Sequence, residues 1–388
     1  MITRVVRVGA VELGGGLPPP VQTMTDTDTA DAEATLAQIG RCARSGADIV
    51  RVAVPGAQVI AAFRRIASES PVPVIADVHF DWRLAVSALK AGASGVRVNP
   101  GNIGGESKLM RVVEACARQG ACLRVGVNMG SLEREFAERL GRTPEAMCAS
   151  AAAAAEMVER SGFRNFKVSL KASGVSDTVR AARLFARISD VPQHLGVTEA
   201  GPMVAGIAKS AVALAALLSE GTGDTVRVSL TAPPETECEA AVEILRALGL
   251  RRGGVEYVSC PTCGRCRIDL ASLLAEVKSR LADVKAPLKV AVMGCVVNGP
   301  GEAREADLGV AGGSGGGKLF VRGSFVSELP YESLAPALEE LARKILRERE
   351  AGDGAAEDAG GKAAGNAGGK GAGKAGAAGK PGPAWDGP

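Results

Sequence analysis

Between residues 21 and 250 one pattern recurs eight times. A short β-branched run is followed by a longer amphipathic stretch, a Gly or Pro, and then the next run. The runs predict strands at 21–24, 48–54, 72–78, 95–99, 122–128, 166–172, 193–199 and 225–231. Helices are predicted between and after them at 31–44, 58–67, 83–91, 106–119, 144–160, 177–188, 204–218 and 237–248. A strand that returns through a helix lies parallel to its predecessor. Eight such units in about 230 residues fit a closed (β/α)8 barrel of the TIM type. An open doubly wound sheet rarely reaches eight units, and the first turn here lacks the G-x-G-x-x-G of a dinucleotide site.

The segments outside the repeat are smaller. Residues 4–15 alternate like a hairpin and end in Gly14-Gly15-Gly16, placed to cover one end of the barrel. From about residue 253 a second α/β module is predicted: strands at 255–258, 288–293 and 318–321, helices at 270–281 and 331–349, and a Gly-rich loop at 309–317. The last 38 residues hold 13 Gly and 12 Ala, with too few large apolar side chains to offset the entropy of ordering, and read as a disordered tail. The expected domains are therefore 1–250, 251–350 and the tail 351–388. Lys plus Arg is 46 against 43 for Asp plus Glu, a balance unlike that of a nucleic-acid binder. Aromatic residues, at 3%, are too few for a base-stacking platform. No apolar run approaches the ~20 residues of a membrane span, and the start lacks the apolar core of a signal peptide. A cytoplasmic location is expected.

In a barrel of this kind the working face is the C-terminal edge of the strands, where inward side chains recur at period two. Those edges carry Arg51, Asp77 with His79, Arg97 with Asn99, Arg124 with Asn128 and Ser131, Lys171, Glu199, and Arg227 with Ser229. Five cations from five strands thus point at one cavity. Buried cations without anions cost several kcal/mol each. Internal pairing with Asp77, Glu199 and Asp48 falls short by count, so the expected partner is a ligand with two or more phosphates, which Arg grips bidentately. Of the two histidines, His79 sits at a strand end suited to ligand contact or proton transfer, whereas His194 starts its strand at the opposite end and reads as structural.

Nine cysteines in a reducing compartment are not a disulfide framework. Cys42, Cys116, Cys122, Cys148 and Cys238 are scattered through strand and helix patterns and read as small core residues. Cys260, Cys263, Cys266 and Cys295 crowd into 36 residues. Thiolates so spaced suit zinc or an iron–sulfur cluster equally. The Gly-Pro-Gly after Cys295 can fold back and bring Glu302 toward the same metal, which would leave one exchangeable oxygen ligand. Taken alone, Glu302 reads as a solvated loop carboxylate.

The sequence resembles the bacterial 4-hydroxy-3-methylbut-2-enyl diphosphate synthase family of the methylerythritol phosphate isoprenoid pathway. Nine blocks carry the resemblance in order: Val21-Gln-Thr-Met-Thr25, Ala76-Asp-Val-His-Phe-Asp81, Val96-Arg-Val-Asn-Pro-Gly-Asn-Ile-Gly104, Arg124-Val-Gly-Val-Asn-Met-Gly-Ser-Leu-Glu133, Ser169-Leu-Lys-Ala-Ser173, His194-Leu-Gly-Val-Thr-Glu-Ala-Gly201, Gly223-Asp-Thr-Val-Arg-Val-Ser-Leu230, Cys260-Pro-Thr-Cys-Gly-Arg265 and Met293-Gly-Cys-Val-Val-Asn-Gly-Pro-Gly-Glu302. The resemblance implies a barrel followed by an iron–sulfur domain, with a [4Fe–4S] cluster held by Cys260, Cys263, Cys295 and Glu302. It implies a homodimer in which the cluster domain of one subunit covers the barrel mouth of the other. The implied substrate is 2-C-methyl-D-erythritol 2,4-cyclodiphosphate, with contacts at Arg51, His79, Arg97, Arg124, Asn128, Lys171, Arg227 and Ser229. Glu199, His79 and Glu302 would take the catalytic roles. Cys266 and the low-complexity tail lie outside the family pattern.

The reaction so implied is a two-electron reductive ring opening with loss of a hydroxyl, catalysed by an oxidoreductase that draws electrons from reduced flavodoxin or ferredoxin. The chain itself shows no flavin or nicotinamide fingerprint. Two other readings stand beside it: a non-redox iron–sulfur hydro-lyase acting on a phosphorylated substrate, and a zinc-stapled binding module fused to a phosphate-binding barrel.

Overall fold

An antiparallel hairpin, β1 (Val6–Val8) and β2 (Val11–Leu13), opens the chain and leads into eight parallel strands. Six run side by side in chain order: β3 (Gln22–Met24), β4 (Ile49–Ala53), β5 (Val74–Asp77), β6 (Gly95–Val98), β7 (Cys122–Asn128) and β8 (Phe166–Lys171). The last two, β9 (His194–Leu195) and β10 (Thr225–Val226), pair with each other. Single parallel bridges, Val168 to Gln193 and Val21 to Val226, tie this pair to β8 and to the residue before β3. The ring is closed, as the repeat predicts. The computed structural model describes residues 2–297 and 305–363. It divides into two units, Met1–Arg252 and Gly253–Pro388, each with its own core.

Strand alternation sorts the first unit's side chains. Along β7, Leu123, Val125 and Val127 belong to the main apolar cluster together with Phe63, Ile66, Leu89 and Phe185 of the surrounding helices. Each such side chain contributes about 1.5–3 kcal/mol by leaving water. Cys122, Arg124, Gly126 and Asn128 take the other, inward face. The helices start where capping side chains allow. Asp31 accepts from Ala34 N ahead of α1 (Ala32–Arg44), and Asp81 accepts from Arg83 N ahead of α3 (Trp82–Lys90), which follows α2 (Ile60–Glu69). Two short helices were not expected, α4 (Pro100–Ile103) before α5 (Glu106–Gln119) and α6 (Arg134–Leu140) before α7 (Pro144–Arg160). The circuit ends with α8 (Val175–Ala186), α9 (Met203–Leu218) and α10 (Pro234–Ala247).

β9 and β10 are shorter than the alternation predicts. The ladder beyond Leu195 meets Gly196 at φ 151°, and the Leu230 N–H after β10 is satisfied by the Glu237 carboxylate at 2.9 Å. At the other end of the ring, Val6, Val8 and Leu13 of the opening hairpin cluster with Ile49, Ile75 and Cys122, the lowest inward residues of β4, β5 and β7. The hairpin therefore plugs the N-terminal end of the barrel. The five scattered cysteines, from Cys42 to Cys238, are all buried.

The second unit is a five-stranded sheet in sequence order: β11 (Val255–Ser259), β12 (Leu288–Met293), β13 (Leu308–Gly313), β14 (Gly316–Val321) and β15 (Ser324–Pro330). The first three are parallel and the last two antiparallel. Helix α11 (Leu270–Arg280) and the C-terminal helix Leu334–Ala363 supply Leu273, Val277, Leu334 and Leu338 to its core. The expected Gly-rich loop at 309–317 is instead the β13–β14 hairpin. Its glycines reflect close packing: a Cβ at Gly309 would lie 2.7 Å from the Ala291 carbonyl, and one at Gly312 2.8 Å from that of Gly294. The C-terminal helix runs past the predicted start of the tail, to Ala363. The rest of the predicted tail, 364–388, lies outside the described residues, as does Glu302. Among the described residues no helix is long and apolar enough to cross a membrane.

Candidate active site

All eight residues expected to contact substrate line one cavity at the C-terminal end of the barrel strands: Arg51, His79, Arg97, Arg124, Asn128, Lys171, Arg227 and Ser229. Asp77, Ser169 and Thr198 complete the wall. The volume, about 190 Å³, is below the ~300–1,000 Å³ of drug-sized pockets and suits a small polar ligand. Glu199 is exposed and outside this lining, with its backbone in the left-handed region at φ 51°. For a non-glycine residue that conformation is strained, and such strain concentrates at functional sites.

Asp77 organises one side of the cavity. Its Oδ1 lies 3.8 Å from Arg51 Nη1 and 3.6 Å from Arg97 Nη1, while Oδ2 accepts from His79 Nε2 at 3.2 Å. Arg97 Nη1 in turn donates to His79 Nδ1 at 3.4 Å, so the imidazole is held in the Nε2–H tautomer. Burial pushes the Asp77 carboxyl up, but Arg51, the His79 hydrogen bond, Arg97 and Arg124 outweigh it and hold the group well below the usual carboxylate range. Arg51 also points Nε and Nη2 at Met24 Sδ, at 3.2 and 2.9 Å, a weak acceptor that does not neutralise it.

The opposite side holds a residue that the sequence does not reveal as functional. Glu237, in the first turn of α10, accepts from Arg227 Nη2 at 3.2 Å, Thr23 Oγ1 at 3.1 Å and the Leu230 N–H at 2.9 Å. The expectation that inward carboxylates fall short therefore needs amending. Arg227 has a partner, whereas Asp48 pairs with Arg251 at 2.6 Å and Glu199 is solvent-facing. The count still favours an anion, because among the described residues Arg51, Arg97, Arg124, Lys171 and Arg227 face only Asp77 and Glu237. Lys171 is pulled well below its ordinary range by burial and then by Arg124, Arg227, Arg51 and Arg97. Burial likewise lowers Arg51 to about 10. Two glycines make room for these side chains. A Cβ at Gly126 would lie 2.8 Å from Arg97 Nε, and one at Gly196 would lie 2.8 Å from Lys171 Nζ.

In the second unit Cys260 follows β11 and Cys295 follows β12, so two paired parallel strands deliver both to one sheet edge. Cys260 and Cys266 converge on Gly294. Its N–H donates to Cys260 Sγ at 3.3 Å, and a Cβ there would lie 3.5 Å from that sulfur and collide with Cys266 Sγ. Cys263 is exposed on the intervening turn, where Thr262 has φ 53°. Among the described residues no three Cys, His or carboxylate groups are drawn together as a metal shell. The donor set nonetheless fits an iron–sulfur group, with soft thiolates at adjacent strand ends, a backbone N–H on one sulfur and a glycine that leaves the sulfurs space. Cys266 donates to the Ile268 carbonyl at 3.2 Å, which suits a spectator thiol.

The profile of the GcpE TIM-barrel domain matches residues 3–242, and that of the GcpE protein C-terminal domain matches residues 256–344. The chain belongs to the GcpE family. Its relatives in that family include the 4-hydroxy-3-methylbut-2-en-1-yl diphosphate synthase (flavodoxin) of Geobacter sulfurreducens, 51% identical over 348 residues that span 89% of this chain and 99% of the relative. The similarly named proteins of Aquifex aeolicus and Lawsonia intracellularis are each 50% identical, covering 87% and 84% of this chain and 94% and 90% of theirs. The two GcpE domains thus fall on the barrel and on the cysteine-bearing sheet.

Proposed function

We propose that this chain reduces 2-C-methyl-D-erythritol 2,4-cyclodiphosphate to 4-hydroxy-3-methylbut-2-enyl diphosphate, the product after which its relatives are named, in isoprenoid precursor biosynthesis. The single observation that carries the reading is the cavity lined by five cations from five barrel strands and by one carboxylate, Asp77, with Glu237 pairing Arg227 behind the wall. A cyclic diphosphate supplies the missing negative charge. Arg51, Arg97, Arg124, Lys171 and Arg227 hold its phosphates, with Asn128 and Ser229 contributing neutral hydrogen bonds. The same arginines stabilise the phosphate oxygen that becomes the leaving group on ring opening.

The reaction consumes two electrons and releases the substrate hydroxyl as water, so it needs a proton at the departing oxygen. We assign that proton to one of two groups, His79, positioned by Asp77 and Arg97, or Glu199 on its strained turn. Cys260, Cys263, Cys295 and Glu302 would hold a [4Fe–4S] cluster, which when bound supplies single electrons and a Lewis-acidic position for oxygen. The electrons come from reduced flavodoxin, the donor named for the relatives, or from a ferredoxin. We further propose a homodimer located in the cytoplasm, without nucleic-acid or membrane partners.

Anaerobically purified protein should contain iron and acid-labile sulfide, and should turn over the cyclodiphosphate only when reduced flavodoxin or ferredoxin is supplied. Turnover without reductant would establish the hydro-lyase instead. Colourless protein with stoichiometric zinc would remove both.

A further inference from the structure

Beneath the cation-lined cavity, the barrel interior contains charged groups that the proposed reaction does not use. Arg124 on β7 and Lys167 on β8 are cross-strand neighbours in register. Both point inward, as Asn128 and Lys171 do further along the same strands. Lys167 is 0% exposed and Arg124 2% exposed, and Lys167 is not part of the cavity wall. The Nζ of Lys167 and the Nε and Nη1 of Arg124 are buried without a hydrogen-bond partner among the described residues. Nε2 of His194, 1% exposed, is a fourth such atom, and its ring interacts electrostatically with both cations.

Burial lowers Lys167 to about 8 and Arg124 well below its ordinary range, so holding both charged on adjacent strands is costly unless an anion lies close by. The local carboxylates are committed elsewhere. Asp224, the acid that interacts with Lys167, accepts from the Thr3 hydroxyl at 2.5 Å and from the Gln193 N–H at 2.7 Å. Asp77, the acid that interacts with Arg124, already serves His79, Arg51 and Arg97. The unpartnered atoms of Arg124 and Lys167 are all hydrogen-bond donors. Lys167 lies below the cavity wall and its strand is only ~4.8 Å from that of Arg124, so an acceptor shared by these donors is a single small ion and not a diphosphate.

We propose that the barrel binds one small monovalent anion of the chloride type between Lys167 and Arg124, at the inner end of the substrate cavity and separate from the phosphate positions. The anion completes the charge balance of the barrel floor and holds Arg124 extended beneath the incoming diphosphate.

The test uses the intact protein with its cluster, exchanged from chloride into bromide and crystallised anaerobically, with and without pyrophosphate in the mouth. An anomalous bromide peak within hydrogen-bond reach of Lys167 Nζ and Arg124, retained when pyrophosphate is bound and lost in Lys167→Met, is the expected result. Displacement of the peak by pyrophosphate would make this part of the substrate's own site and overturn the proposal. Bromide on the outer surface alone, an adventitious ion only, or an ordered water in place of the peak would overturn it equally. Should Lys167→Met not fold, the wild-type melting temperature decides the matter. It should rise with bromide and saturate, relative to gluconate at equal ionic strength. Equal melting in the two salts sinks the idea.

Discussion

Removing the guanidinium of Arg227 also strands Glu237, so the two residues must be tested together. Arg227→Ala should weaken pyrophosphate or substrate binding by roughly 1.5–3 kcal/mol, the worth of a charged hydrogen bond, while keeping the cluster. It should also destabilise the barrel, because breaking a buried pair by removing one partner costs about 3–5 kcal/mol. Adding Glu237→Gln to that variant should restore most of the melting temperature but none of the affinity, as calorimetry can measure. Unchanged affinity in Arg227→Ala would show that this side chain does not face the ligand. Lys171 gives a pH signature. Its ammonium is disfavoured by burial and by four arginines, and a bound diphosphate reverses that balance. Binding should therefore take up a proton, and affinity should fall as pH rises through the lowered Lys171 value. Titrations in buffers of different ionisation enthalpy would reveal the uptake, and Lys171→Met should abolish it. The inward cations were legible from the period of two along each strand. Glu237 was not, since in sequence it looks like any acid in a helix's first turn.

Two glycines, Gly126 within β7 and Gly196 just past β9, show how elements, rather than contacts, hold the cavity open. At Gly126 a Cβ would press on the Arg97 and Ser169 side chains, which can yield, at 2.8 and 3.3 Å. Gly126→Ala should fold, displace Arg97 and lower ligand affinity about tenfold, the equivalent of ~1.4 kcal/mol. At Gly196 a Cβ would run into the Arg227 carbonyl, which is backbone and cannot yield. Gly196→Ala should give little folded protein, as circular dichroism and solubility would report. Strong alternation made the long elements readable: β7, β12, α5 and α7 begin and end where the sequence predicts. The strand expected at 318–321 lies within β14, whereas residues 309–317 read as a loop because a run of glycines usually marks one, and only the nearness of Ala291 and Gly294 makes β13 a strand.

At the scale of the whole chain, the division into two units follows the sequence change near residue 250, with the boundary observed at Arg252. Each unit has a core of its own, so damage to one metal-bearing loop should stay local. Cys295→Ser should lose iron, sulfide and turnover while the barrel keeps its melting transition and its affinity for pyrophosphate. Loss of pyrophosphate binding in that variant would show that the cysteine loop also shapes the anion site. What sequence could not supply at this scale was the arrangement of the thiolates, which depends on how two strands are paired. The opening hairpin has a consequence of its own. Because it stoppers one end of the ring, the interior behaves as a flask filled through its neck. Anything lodged deep inside must enter before the diphosphate and depart after it, so the residence time of the inner occupant is set by turnover above it.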